Sequence, residues 1–279
     1  MRKIYFKSSS SIIKLIINEE DYNLIISDEF LYSYIPSLDI VDSNTFDESI
    51  KVEKGNTNNI NFNYPEVIYQ YEKFNPKDVI SLIEYVFERA RQEKGIICIH
   101  GAGAIYKNKL IVSWGGTTGM GKTTLALEIS KKGTFYSDEK VLIDLNNLKG
   151  VGRISRQYIS NDYWRKKYNT NDKYLVLNGN KKNYDIGLFI QPIICDIFDY
   201  TLDVWDKDKF FWHLYEESSR KIRGTSRMFF DRTYPAVSLD TFSLAKSRLE
   251  LIKKFTSNIK AVYYKGCIDN IINKLDKLM

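Results

Sequence analysis

Apolar residues recur at two spacings along this chain, and the spacing changes where the elements change. Over residues 1 to about 70 the apolar runs are short, at 12–17, 22–26 and 60–62, with polar turns such as Lys54-Gly55-Asn56 between them. That pattern predicts strands and a small β-rich N-terminal portion, placed at 1–74. From Asn75 the spacing turns helical. Asn75 suits the N-cap, Pro76 the first helical position and Asp78 the first turn, and Val79, Ile80, Ile83, Val86, Phe87 and Ala90 follow until Gly95. Residues 96–99 read as a buried strand ending at His100-Gly101. A hairpin turn over 103–108 then returns through a second strand at 109–114. A helix over 122–132 stopped by Gly133, two strands at 134–136 and 141–145, and an apolar run at 186–194 complete the middle of the chain. Helices are expected at 207–219, 241–255 and 269–278, with a strand at 261–265. These elements assign 75–279 to one α/β domain.

The glycine-rich segment between the second of those strands and the following helix carries the chemistry. Gly116-Thr117-Thr118-Gly119-Met120-Gly121-Lys122-Thr123 matches G-x-x-x-x-G-K-[ST] at every fixed position, with Thr124 next. Ordinary residue frequencies give such a match by chance in roughly 1% of chains this long. Glycines let successive backbone N–H groups converge on phosphate oxygens, and the helix N-terminus adds partial positive charge. Lys122 is expected on the β- and γ-phosphates and the Thr123 hydroxyl on Mg²⁺. ATP, or another nucleotide or polyphosphate donor, is the implied ligand. Asp138 and Glu139, sixteen and seventeen residues past Lys122, stand between two short strands. One such acid can hold Mg²⁺ while the other accepts or orients a hydroxyl proton. Asp144, after Val141-Leu142-Ile143, is the competing Mg²⁺ acid.

Composition narrows the classes. The chain has 279 residues, enough for a sizeable core without staples, and 43% are hydrophobic. Its 41 Lys and Arg against 35 Asp and Glu give a formal +6. That excess fits anionic partners but is too evenly spread to imply nucleic acid, with one local concentration at 164–182. Three cysteines, Cys98, Cys195 and Cys267, form no C-x-x-C pair and read as reduced thiols of a cytoplasmic protein. No apolar run reaches the ~18 residues of a membrane span, so no membrane partner is expected. Of the two histidines, His100 closes a buried strand ahead of the glycine segment and His213 reads as packing. Arg220, Arg223, Arg227 and Arg232 form a basic cluster suited to clamping phosphate, with Arg223 preferred because Gly224 beside it permits close approach.

The run from Ile99 to Asp144 resembles the catalytic domain of HPr kinase/phosphorylase and its smaller relatives, whose phosphate-loop core is related to phosphoenolpyruvate carboxykinase. The shared order is His100-Gly101, the strand at 110–114, Gly116 to Thr123, a helix ending at Gly133, and the pair Asp138-Glu139, about 45 residues in all. The resemblance implies an α/β fold of that type. It also implies Asp138 as base for the acceptor hydroxyl, His100 as its neighbour in proton transfer, and Glu139 as a Mg²⁺ ligand. The second acid is Glu where the family commonly has Asp, and the family's second glycine-rich signature is missing. HPr and the reverse, phosphorolytic reaction are therefore not implied. The expectation is a kinase for a hydroxyl, a serine of a peptide or protein first, with a homo-oligomer allowed. A small-molecule hydroxyl kinase and a nucleotide-driven switch are the alternatives.

Overall fold

The computed structural model describes residues 1–159, 162, 165–166, 169, 171–177, 182–196, 199–223, 226–229, 232–235 and 237–279. It is a mixed α/β structure that divides into two compact units. The first comprises Met1–Lys94, Ile154–Val176 and Ser219–Leu244, and the second Gly95–Arg153, Leu177–Ser218 and Ala245–Met279. Elements are numbered in chain order.

The first unit is built on strands β1 (Arg2–Ser8), β2 (Ser11–Ile17), β3 (Leu38–Val41), β4 (Glu48–Lys54), β5 (Asn59–Asn63) and β6 (Glu66–Tyr71). They form a six-stranded sheet in the order β3-β1-β2-β4-β6-β5. Strict alternation buries Ser11, Ile13, Leu15 and Ile17 of β2 on one face, as a half-buried strand requires. Helix α1 (Glu19–Ser27) occupies the stretch whose apolar run at 22–26 reads as a strand. Its Asn18 side chain accepts from Asp21 N at 2.8 Å, three acids line its first turn, and Asp21 and Ile25 are buried one helical turn apart. Cap and dipole thus override a β-like run. A short α2 (Phe30–Tyr34) follows, and the ladders β12 (Arg156–Tyr158) with β13 (Tyr174–Val176) and β16 (Ser226–Phe229) with β17 (Arg232–Pro235) belong to the same unit.

Helix α3 (Pro76–Glu93) starts and stops as the sequence predicts. Asn75 caps it by accepting from Lys77 N at 3.1 Å, and Gly95 follows with φ +75°. Its place differs from the expected division at 74/75: it belongs to the first unit. Val79, Ile83, Val86 and Phe87 join the core over β2 and β4. Arg91, fully buried on the same helix, pairs with Glu88 at 2.8 Å and Glu84 at 3.1 Å and donates to Ser8 Oγ at 3.0 Å.

The second unit holds β7 (Ile96–Tyr106), β8 (Lys109–Trp114), α4 (Lys122–Ser130), β9 (Thr134–Ser137), β10 (Lys140–Asp144), β11 (Lys149–Arg153), β14 (Tyr184–Ile194), β15 (Thr201–Val204), β18 (Ala261–Gly266), all but the last two residues of α5 (Lys207–Arg220) and all but the first three of α6 (Phe242–Asn258). Two short helices, α7 (Ile268–Ile272) and α8 (Leu275–Leu278), replace the single helix expected at 269–278. The sheet runs β11-β10-β7-β8-β14-β18-β15, and pairing of β11 with β14 closes five of these strands into a ring. Strand β7 continues well past His100. Its first half pairs with β10, and its second half pairs with β8 on one edge and β9 on the other. The hairpin turn is only Lys107-Asn108, both in the left-handed region as a two-residue type I′ turn requires. No described helix is long and apolar enough to cross a membrane.

Candidate active site

Strand β8 delivers the chain to the glycine-rich segment, and the backbone there is left-handed four times, at Gly115 (φ +68°), Gly116 (+64°), Gly119 (+92°) and Gly121 (+94°). At Gly121 an added Cβ would meet Ile194 Cγ1 at 2.5 Å, and at Gly116 it would meet Met120 Sδ at 2.0 Å. Ile194 N donates to Met120 O at 3.0 Å and ties the turn to the end of β14. Gly121 is also the N-cap of α4 and brings no capping side chain, so the first N–H groups of that helix meet no capping side chain from it. Thr117, Thr118 and Gly119 are exposed. Lys122 lies back over the turn, its Nζ donating to Thr117 O at 3.1 Å. Thr123 and Thr124 continue the first turn of α4.

The two acids stand at the tight connection between β9 and β10. Asp138 is buried, and its Oδ1 accepts from Thr123 Oγ1 at 2.8 Å and from Glu139 N at 3.0 Å. These bonds connect the start of α4 to the acidic pair directly. Glu139 takes φ +66°, which turns its carbonyl toward β7. That carbonyl accepts from Gly101 N at 3.2 Å and lies 3.1 Å from His100 Nδ1, while Glu139 Oε2 is 3.8 Å from the same nitrogen. The imidazole and the Glu139 side chain are about half exposed. Lys122, Thr123, Asp138, Glu139 and His100 thus gather at one end of the second unit's sheet. Two residues before Asp138, burial pushes the Tyr136 phenol up to about 12 against the pull of the Arg153 guanidinium. It stays protonated at neutral pH and does not compete as an acid–base group.

Asp144 ends β10 at the register position of Ile96, whereas Lys140 at the acidic end is opposite His100. Four residues of strand separate the two ends, about 13 Å. The Asp144 carboxylate is used locally, accepting from Asn146 N at 2.9 Å, Asn147 N at 3.2 Å and Asn147 Nδ2 at 2.7 Å. It shapes a turn. Arg223 belongs to the first unit, where its Nε is 4.0 Å from Asp240 Oδ2. Gly224 and, in the basic stretch, Trp164, Lys167 and Lys181 lie outside the described residues, as do the side chains of Arg227 and Arg232. His213 packs its ring 4.8 Å from Trp205. None of the three cysteines forms a disulfide.

One residue at this end of the sheet is absent from the sequence reading. Glu217 of α5 is buried, and its Oε1 accepts from His100 N at 2.7 Å. A signal for it exists: Phe210, Leu214 and Glu217 fall at i, i+4 and i+7, so the acid sits on the buried stripe of its helix. The grouped side chains supply a hydroxyl and two carboxylates, the hard oxygen donors that Mg²⁺ takes, beside a left-handed glycine turn and an uncapped helix start that favour phosphate. No protein-family model matches the chain, and no curated protein sequence matches it.

Proposed function

We propose that this protein is an ATP-dependent kinase of the HPr kinase-like type, with a phosphate-loop core in its second unit, that transfers a phosphoryl group to a hydroxyl. One observation carries the reading: the Thr123–Asp138 hydrogen bond joins the glycine-lysine-threonine segment to the acidic pair, with His100 packed on the same pair. In this reading the backbone from Gly116 to Thr124 cradles the β- and γ-phosphates, and Lys122 swings from Thr117 O onto them. Thr123 and Glu139 hold Mg²⁺, which when bound neutralises charge developing on the transferring group. Asp138, fixed by two donated hydrogen bonds, takes the proton of the acceptor hydroxyl. His100, next to the Glu139 carbonyl, orders that exchange. Phosphoryl transfer asks mainly for placement and charge neutralisation, and these residues supply both. The acceptor we favour is a serine of a peptide or protein, and the setting a reducing cytoplasm that keeps the three thiols free.

The test uses calorimetric binding of ATP with Mg²⁺ beside transfer from γ-labelled ATP to an immobilised array of serine peptides. Asp138→Asn keeps the size and polarity of the side chain but cannot accept the proton. ATP affinity should stay near that of the unaltered protein while transfer falls by roughly 10²–10⁴-fold. Full transfer in this variant, or no ATP binding by the unaltered protein, overturns the reading.

A further inference from the structure

We propose that Glu217 is a positioning residue for His100, standing in for the strand partner that β8 withdraws when it leaves for the glycine turn. The inference rests on the phosphotransfer reading only for the role of His100; its geometric content is independent of it.

Along a strand, successive N–H groups point to opposite edges. On one edge of β7, Gly101 N donates to Glu139 O at 3.2 Å. His100 N therefore points to the other edge, the one that β8 covers from Gly101 onward, starting with the pair Gly101–Trp114. Immediately after Trp114 the chain turns away through Gly115 and Gly116, both left-handed. The ladder thus ends one residue short of His100. A backbone N–H stranded there at a sheet edge would be unsatisfied and costly. The Glu217 carboxyl group meets it at 2.7 Å, from the buried stripe it shares with Phe210 and Leu214.

Why a side-chain acceptor occupies this place, where a further strand residue would serve, follows from the site. β8 has to leave at Trp114 for the glycine segment to begin its turn beside the acidic pair. Close approach is already at its limit there, since a Cβ on Gly101 would lie 2.4 Å from Ser113 O. His100 is consequently held at two points, its backbone N–H by Glu217 and its ring Nδ1 by the Glu139 carbonyl. Release of the Glu217 bond frees β7 at the residue whose imidazole faces Glu139, so the loss falls on orientation of the ring and not on phosphate binding.

The experiment compares Glu217→Ala, Glu217→Asp and Glu217→Gln in the full chain. With only two histidines, ¹⁵N-labelled imidazole spectra report His100 directly and carry His213 as an internal reference. Glu217→Asp withdraws the carboxylate by one methylene, and Glu217→Gln keeps an acceptor at the same reach. Expected are displaced ring signals of His100 in the alanine and aspartate variants, an unmoved His213, and near-native signals in the glutamine variant. If alanine at this buried position prevents folding, the aspartate variant carries the comparison. In the transfer assay kcat should fall about 10-fold with KM for ATP unchanged, glutamine should restore most of it, and the loss should vanish in a His100→Ala background, as coupled groups behave. Unmoved His100 signals in both shortened variants overturn the proposal, as does full additivity with His100→Ala. Displaced signals in a protein that transfers no phosphate would retain Glu217 as the pin and overturn the kinase reading alone.

Discussion

The two units handle buried charge in opposite ways. In the first, Arg91 is fully enclosed and engaged from several directions by Glu84, Glu88 and Ser8, all held on α3 and β1. All four residues are buried. At the acidic end of the second unit, Asp138 is buried but bonded to the start of α4, Glu139 and His100 stand half exposed, and Lys122 rests on a backbone carbonyl. There the charges are arrayed along an open edge beside four left-handed glycines. A closed set of charges contributes to the fold, whereas an open set can be completed by a ligand. The difference is one of exposure, and substitutions on the two sides should therefore separate stability from chemistry.

The largest effect belongs to the closed set. Arg91→Ala strands Glu84 and Glu88 in the core, and removal of one partner of a buried pair costs about 3–5 kcal/mol. Denaturant unfolding should show this loss, with ATP affinity of the folded fraction unchanged. Lys122→Ala should reverse the pattern. Its amine contacts only the Thr117 carbonyl among the described contacts, so the unfolding midpoint should stay within error. Loss of one stabilising group for developing charge should lower transfer by roughly 10²–10³-fold. A stable Arg91→Ala protein, or a Lys122→Ala protein with unchanged turnover, would erase the distinction between the two units.

Much of the second unit was legible because its signals are local. The strand–glycine–helix order, the break at Gly133 and the acids between two short strands are all contained in some 45 residues. The grouping of His100 with Asp138 and Glu139 came from the family resemblance, and the register Lys140–His100 brings them to one sheet end. What escaped depends on distant chain segments. Glu217 binds a backbone group 117 residues away. The two-unit division depends on 154–176 and 219–244 returning to the first unit, where Tyr85 donates to Val237 O at 2.7 Å. The run at 22–26 reads as a strand because it ends in two β-branched isoleucines, whereas in the structure the Asn18 cap and the acidic first turn start a helix there.

Glu48 offers a pH-dependent version of the contrast. It lies on β4, buried, with Arg89 at 2.7 Å, and Glu93, Asp47 and Tyr64 are the other titratable groups around it. Desolvation pushes its carboxyl from 4.5 up to about 8 even against the pull of Arg89. Between those values the folded chain keeps a proton that the unfolded chain has released. The stabilisation is therefore complete below pH 4.5 and is lost as the pH rises through 8, with a slope of up to about 1.4 kcal/mol per pH unit. Glu48→Gln should flatten the fall in unfolding free energy between pH 5 and 8. An equally steep fall in that variant would assign the slope to another group.

The smallest effect is expected at Asp144, and it sharpens the assignment of the acidic pair. Asp138 and Asp144 both follow strand-like runs and both suit a Mg²⁺ acid by sequence. The register separates them, since β10 carries them to opposite ends, with His100 opposite one end and Ile96 opposite the other. Asp144 spends its carboxylate on the 144–147 turn, accepting from two backbone N–H groups and one side-chain amide. Asp144→Asn keeps one acceptor oxygen for the backbone donors, so the cost should be about 1 kcal/mol of stability or less. Mg²⁺-dependent ATP binding and transfer should be unchanged, in contrast to the loss of transfer in Asp138→Asn. A drop of tenfold or more in Mg²⁺-dependent affinity for Asp144→Asn, with Asp138→Asn unaffected, would move the metal site to the far end of β10 and dissolve the cluster around His100.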